Sequence, residues 1–228
     1  MKIVAITGSG ISAASGIPYY RSEGSGWDEY AQGIAHARNY GNHLPQLWKH
    51  WTSLGRTIEQ ADPNPAHKAL ASVDAFIITQ NVDGLHQKAG SEHVVELHGD
   101  MRSMRCLRCK KSSALDLSTE SPVCKNCGSS RVRMNAVLFG EKILKRHFVA
   151  AETAVKNADL VMIAGTSGTV WPTRSLVDAA KSSDTRTVLF DIEAWVDASD
   201  FSDVIIGPVE DTLPVFLNDS LGLGTTKA

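Results

Sequence analysis

This chain has no apolar run near the about 20 residues that a membrane-spanning helix needs, so no bilayer helix is expected. It also lacks an excess of charge of either sign: the formal net charge is -2 and the pI about 6.4. That balance provides no field for strong nonspecific binding to nucleic acid. Cysteine is scarce, with four residues all between positions 106 and 127, which argues against disulfides spread through a secreted fold. There is no internal repeat. The opening Met1-Lys2-Ile3-Val4-Ala5-Ile6 is too short for a signal peptide and runs directly into a glycine loop. A cytoplasmic protein is expected, with no membrane and no direct nucleic-acid partner.

What is present fits a globular chain. At 228 residues and 43% hydrophobic, one large domain or a domain plus a small insert is expected. Short apolar runs predict buried strands at Ile3–Thr7, Ala75–Thr79, Val94–Leu97, Ala136–Phe139, Leu160–Gly165, Thr187–Asp191 and Asp203–Ile206. Helices are expected at Pro65–Ser72, Lys142–Asn157 and Pro172–Ser182. Strands alternating with helices imply βαβ units, hence an α/β fold with a Rossmann-like parallel sheet. Two stretches break the rhythm: Ser22–Asp62, rich in Trp, Tyr, His and Gly, and Met101–Val132, which holds the cysteines. They predict a smaller zinc-binding and helical domain (22–61 and 101–132) inserted in the sheet domain (1–21, 62–100 and 133–228). The tail from Asn218 is Gly/Thr/Ser-rich and expected to fray.

The strand Ala75-Phe76-Ile77-Ile78 ends in Thr79-Gln80-Asn81-Val82-Asp83-Gly84-Leu85-His86. Ligands bind beyond the carboxyl ends of strands in open parallel sheets, and Gln80, Asn81 and Asp83 put several donors and acceptors there. The same residues could instead form a polar turn that caps the next helix. A second strand, Val94–Leu97, stops at His98-Gly99-Asp100, so His98 shares that rim. Histidine suits proton transfer near neutral pH, although a single histidine is commonly structural or merely exposed.

Cys106-x2-Cys109 and Cys124-x2-Cys127 are separated by 14 residues. Each pair forms a knuckle that presents two thiolates, and two knuckles complete a tetrahedron suited to zinc. Four thiolates leave no open position for water, so the zinc is structural. Paired redox dithiols or a DNA-reading ribbon are the alternatives; the close spacing disfavours the first and the net charge the second.

Strand Ile3–Thr7 leads into Gly8-Ser9-Gly10-Ile11-Ser12-Ala13-Ala14-Ser15-Gly16, in the order strand, glycine turn, helix. Such a turn lets backbone amides approach a pyrophosphate. The third glycine is displaced from the usual G-x-G-x-x-G spacing, and a tight structural turn explains the residues as well. Arg21, a short loop beyond, could pair with phosphate or be a solvated surface arginine. Gly165-Thr166-Ser167 is another strand-end glycine with hydroxyls. Asp191 closes Val188-Leu189-Phe190, placed for a ribose diol or a helix cap. Three such loops on one sheet edge suggest an extended nucleotide.

In this order the motifs resemble the sirtuin family, the NAD-dependent protein-lysine deacylases, in its bacterial form. Gly8–Arg21 is similar to the family's glycine signature, Thr79–His86 to its T-Q-N-x-D-x-L-H motif. His98-Gly99, the four cysteines, Phe139-Gly140-Glu141 and Gly165-Thr166-Ser167 follow. The resemblance implies NAD and an acyl-lysine peptide meeting in a cleft between two domains. It implies that Gly8, Ser9, Gly10, Ser12, Tyr20, Arg21, Gln80, Asn81, Asp83, Gly165, Thr166, Ser167 and Asp191 hold NAD, Asp83 through the nicotinamide carboxamide. The acyl oxygen would attack the anomeric carbon as nicotinamide leaves. His98 would then act as base on a ribose hydroxyl, with Asn81 and Asp83 completing the catalytic set. Val137, Leu138, Phe139, Gly140 and Glu141 would offer a strand edge to the peptide. Products would be free lysine, nicotinamide and O-acyl-ADP-ribose.

The chain departs from the family pattern at Ser9 (usually Ala), Tyr19 (Asp), Tyr20 (Phe), Met134 and Leu144 (Pro), and Asp191 (Asn). The Tyr20 hydroxyl could alter water exclusion and so the balance between deacylation and NAD hydrolysis. Leu47–Ser53 contains no Tyr-x-x-Arg pair of the kind that selects succinyl or malonyl groups, so acetyl is the preferred acyl group. The alternative activity is an NAD glycohydrolase or ADP-ribosyltransferase on the same scaffold. A noncatalytic NAD sensor is a third reading, opposed by the intact Asn81, Asp83 and His98.

Overall fold

The structure is a computed structural model that describes residues 1–18, 33–166, 171–193 and 198–221. Six parallel strands form the main sheet: β1 (Ile3–Thr7), β2 (Phe76–Thr79), β3 (Val94–Glu96), β7 (Leu160–Ala164), β8 (Arg186–Asp191) and β9 (Asp203–Ile206), in the order β3-β2-β1-β7-β8-β9. Every residue of β1 and β7 is buried, because successive side chains serve opposite faces and both faces are covered. Ile3, Ala5, Ile77, Met162 and Phe190 pack on one face with α2 (Pro65–Ser72) and α6 (Val209–Leu221). Val4, Ile6, Ile78, Val161, Ile163 and Leu189 pack on the other with α4 (Lys145–Lys156) and α5 (Thr173–Ser182). Truncating one such fully buried residue, Ile77→Ala for instance, costs about 2–5 kcal/mol.

A second, antiparallel sheet has the order β5-β4-β6, from β4 (Gly99–Cys106), β5 (Ser112–Ala114) and β6 (Val132–Ala136). Helix α1 (Leu44–Gln60) lays Leu47, Trp48 and Trp51 over Met101, Met104 and Met134 of that sheet. The Trp48 indole N–H donates to the Thr119 carbonyl at 2.9 Å, tying the helix to the chain between the cysteine pairs. The chain leaves the main sheet for the small one at Gly99. Its φ is +75°, and a Cβ there would lie 2.1 Å from the Asn135 carbonyl oxygen, so a side chain would push β6 away from β4.

The expected strand at Ala136–Phe139 is displaced: β6 ends at Ala136. Beyond it, Phe139 pairs with His36 in an isolated parallel bridge outside any strand. The reason is that Val132 and Met134 lie two residues apart with Arg133 and Asn135 between them, the period-two alternation of a strand. The other main-sheet strands and α2, α4 and α5 fall within a few residues of expectation, while α6 was not anticipated. The segment after β1 is a 3-10 helix, Ser9–Ser15. Among the described residues, no helix is long and apolar enough to cross a membrane.

Candidate active site

The order of the main sheet reverses between β1 and β7, with β2 and β3 on one side and β8 and β9 on the other. In open parallel sheets, the crevice at the carboxyl ends of the strands at such a reversal is where ligands bind. Gly8 and Gly10 follow β1, and Gly165 follows β7. The loops touch: Gly8 N–H donates to the Ala164 carbonyl at 3.1 Å and Gly10 N–H to the Gly165 carbonyl at 2.8 Å. Gly165 has φ +61°, and a Cβ on it would lie 2.2 Å from the Ile11 nitrogen. Ser9, at the start of the 3-10 helix, sits on the same loop.

Ser12, buried on that helix, is the centre of a polar knot. Its hydroxyl donates to Asp83 Oδ2 at 2.8 Å and accepts from Asn81 Nδ2 at 3.1 Å. Asn81 Nδ2 also donates to the Gly8 carbonyl at 3.0 Å. Asp83 Oδ1 accepts the Leu85 N–H at 2.9 Å at the start of α3 (Leu85–Lys88), as the alternative helix-terminal reading of this residue expects. Burial pushes the Asp83 carboxyl up, while the Leu85 amide and Ser12 hydroxyl pull it down. Gln80 Oε1 accepts from Thr166 Oγ1 at 2.9 Å, linking the loops after β2 and β7. Asp191, buried at the end of β8, accepts the Ile192 N–H at 2.7 Å.

His98 is half-buried where β3 ends, and its carbonyl accepts the Val137 N–H at 2.7 Å. Burial lowers its imidazole pKa, partly offset by the Gln80 main chain. That shift favours the neutral ring, the form that can accept a proton. The contact with Gln80 brings His98 to the rim that carries Asn81 and Asp83. Tyr20, Arg21 and Ser167 lie outside the described residues.

The segment after β6 is a tight turn against a neighbouring segment. Phe139 N–H donates to the Ala35 carbonyl at 3.1 Å, and its carbonyl accepts from Ala37 N–H at 2.7 Å. Leu138 N–H donates to Glu141 Oε2 at 3.0 Å, and Glu141 N–H to the Leu138 carbonyl at 2.9 Å. The Val137–Phe139 backbone is thus largely paired within the chain rather than presented as an open strand edge, and the Glu141 carboxylate is engaged internally. Gly140, at φ +76°, is the exposed apex.

The four thiol sulfurs lie within 4.8 Å of one another, with Cys106–Cys127 at 3.7 Å and Cys109–Cys124 at 3.5 Å. Tetrahedral zinc with about 2.3 Å bonds separates its sulfurs by about 3.8 Å, so these residues fit that ion. Backbone amides point at the sulfurs, Arg108 and Cys109 N–H at 3.3 and 3.4 Å from Cys106 Sγ. Amide donation lowers the Cys106 and Cys109 thiol pKa values, favouring thiolates at these two, while burial and the neighbouring thiols raise that of Cys127.

Two supports went unnoticed in the sequence. Asn64 caps α2, accepting Ala66 N–H at 3.1 Å, and donates to the Ile11 carbonyl at 2.7 Å, bracing the glycine loop from below. Asn before Pro at a helix start is a readable cap signal. His86 Nε2 shares a hydrogen bond with Thr7 Oγ1 at 2.9 Å, and its ring lies 4.8 Å from that of fully buried His67; nothing in the sequence pattern marked that pair.

The pattern of the Sir2 family matches residues 8–172. An NAD-dependent protein deacylase 2 from Pyrobaculum aerophilum is 36% identical over 198 residues, covering 83% of this chain and 79% of that one. An NAD-dependent protein deacylase from Leptospira interrogans is 34% identical over 230 residues, covering 96% and 93%. Among solved structures, a mutant Sir2 homologue in complex with 2′-O-acetyl ADP ribose superposes with a TM-score of 0.90 at 30% identity, covering 100% of this chain and 95% of that one. A Sir2 complex with a p53 peptide and NAD+ superposes with a TM-score of 0.85 at 28% identity, covering 98% and 94%.

Proposed function

The chain belongs to the Sir2 family, and on that premise we propose that it is an NAD-dependent protein-lysine deacylase yielding nicotinamide, O-acyl-ADP-ribose and free lysine. The carrying observation is the hydrogen-bonded cluster of Ser12, Asn81 and Asp83 next to the point where the sheet order reverses, with His98 tied to the same rim through the Gln80 main chain. NAD supplies an anomeric carbon bearing nicotinamide as leaving group. The two touching glycine loops suit its approach, because they leave main chain rather than side chains around the crevice.

In this reading Gly8, Ser9, Gly10, Ser12, Gln80, Gly165, Thr166 and Asp191 hold NAD, together with Tyr20, Arg21 and Ser167. Asn81 and Asp83 orient the nicotinamide end, held by Ser12 and by the Leu85 amide. His98 takes the proton from a ribose hydroxyl, and its lowered pKa keeps its acceptor nitrogen free at neutral pH. Gly140 at the turn apex and the neighbouring Phe139 and Glu141 meet the acyl-lysine substrate, with Val137 and Leu138 as support. Cys106, Cys109, Cys124 and Cys127 hold a structural zinc ion. The main sheet forms the NAD-binding domain; α1 and the antiparallel sheet form the smaller one. The strand bounds support crossings at Gly99 and after Ala136, a few residues from those expected. Acetyl-lysine proteins in the cytoplasm are the proposed substrates.

Mass spectrometry of wild-type enzyme with NAD and an acetyl-lysine peptide tests the reading. Deacetylated peptide with O-acetyl-ADP-ribose supports it. Plain ADP-ribose without peptide turnover would replace it with a glycohydrolase.

A further inference from the structure

We infer that Arg133 is a positioning residue that sets the shape of the peptide-meeting turn, an assignment that rests on the deacylase reading above. Arg133 lies on β6 opposite Arg105, and its neighbour Val132 pairs with Cys106. Its side chain is 0% exposed. A buried arginine requires compensation for the lost hydration of its charge, and among the described residues both Nη nitrogens find it in the segment that follows, while Nε finds no partner. Nη1 donates to the Ala136 carbonyl at 2.8 Å, where β6 ends. Nη2 donates to both Glu141 carboxylate oxygens at 2.7 Å, where the turn ends. The Tyr40 ring lies 4.9 Å from the guanidinium carbon.

One planar cation thus spans the segment from Ala136 to Glu141. The Glu141 carboxylate, held by Arg133, also accepts the Leu138 amide at 3.0 Å. Glu141 N–H returns to the Leu138 carbonyl. With both ends of the turn held, Gly140 stays in its left-handed conformation with its backbone outward. Arg105 Nη2 approaches the same carboxylate at 3.4 Å, but its side chain is 39% exposed, which makes it the weaker partner. A lysine at 133 has a single nitrogen and cannot reach along two directions of a fork. The arrangement also links the turn to the strand bearing the first cysteine knuckle.

The test is Arg133→Lys, assayed by anisotropy of a labelled acetyl-lysine peptide with ADP-ribose present, by calorimetry of ADP-ribose alone, and by steady-state rates. Losing two charge-assisted hydrogen bonds from a peptide-shaping turn should weaken peptide affinity and raise peptide KM about tenfold or more. ADP-ribose affinity and kcat should stay within about threefold. If Arg133→Lys does not fold, Arg133→Gln replaces it: the neutral amide keeps a donor for the Ala136 carbonyl and leaves the Glu141 carboxylate to Arg105. The same rise in peptide KM is expected. Peptide affinity within about twofold of wild type in a folded variant, or an equal loss of ADP-ribose affinity, would overturn the inference. A wild type that binds peptide without forming product would instead defeat the deacylase reading alone.

Discussion

His67 and His86 make the stability of this protein depend on pH in a defined direction. Both rings are buried, and among the described residues His67 Nδ1 and Nε2 and His86 Nδ1 have no hydrogen-bond partner. Burial lowers the His67 pKa to about 4 and, with repulsion from His67, the His86 pKa to about 3. An unfolded histidine titrates near 6.5. Between about pH 6.5 and 4 the unfolded chain therefore binds protons that the folded chain refuses. Stability is full above pH 6.5 and falls as the solution becomes more acidic. At pH 5 each ring contributes a loss of about 2 kcal/mol, so the pair costs about 4 kcal/mol, a large share of an ordinary stability of about 5–15 kcal/mol. His67→Leu isolates half of this effect. It removes two unpaired buried nitrogens without breaking a hydrogen bond, so stability at pH 7.5 should equal or exceed that of wild type. Urea denaturation at pH 7.5, 6 and 5 should show the loss in the variant reduced to about half. An unchanged pH slope, or destabilisation by more than about 2 kcal/mol at pH 7.5, would refute the reasoning.

Two further perturbations bear on the site and the cysteine cluster. Gly165→Ala puts a methyl 2.2 Å from the Ile11 nitrogen at a φ of +61°. It should cost about 3 kcal/mol or more in thermal or urea unfolding and weaken ADP-ribose binding, because the loops after β1 and β7 must separate; wild-type values for both would contradict the contact. Stripping metal with a chelator should release the two knuckles. The Trp48–Thr119 hydrogen bond then breaks, seen as red-shifted tryptophan emission that zinc reverses; unchanged emission after confirmed metal loss would argue against a structural ion.

The parts of this fold legible in the sequence are those where one pattern dominates. Ile3–Thr7 and Leu160–Ala164 are continuous apolar runs because helices cover both sides of the sheet. β4 and β6 escaped notice because charged residues such as Arg105 and Arg133 alternate with their buried methionines. Helix α6 buries Val209, Leu213 and Leu217 at four-residue spacing, but Pro214 within it reads as a helix breaker. At the site, Asn81, Asp83 and His98 were legible as polar groups at strand ends. The central place of Ser12 was not, since a serine beside glycines reads as part of a turn. Arg133 belongs to none of the motifs read in the sequence; only its complete burial reveals what it holds.

The most direct measurement is a comparison of His98→Ala with wild type for ADP-ribose affinity and for O-acetyl-ADP-ribose formation from NAD and acetyl-lysine peptide. Losing the general base should cut product formation by about 10²–10⁴-fold while ADP-ribose affinity stays within about threefold. Product formation at the wild-type rate would contradict the placement of the chemistry at this rim.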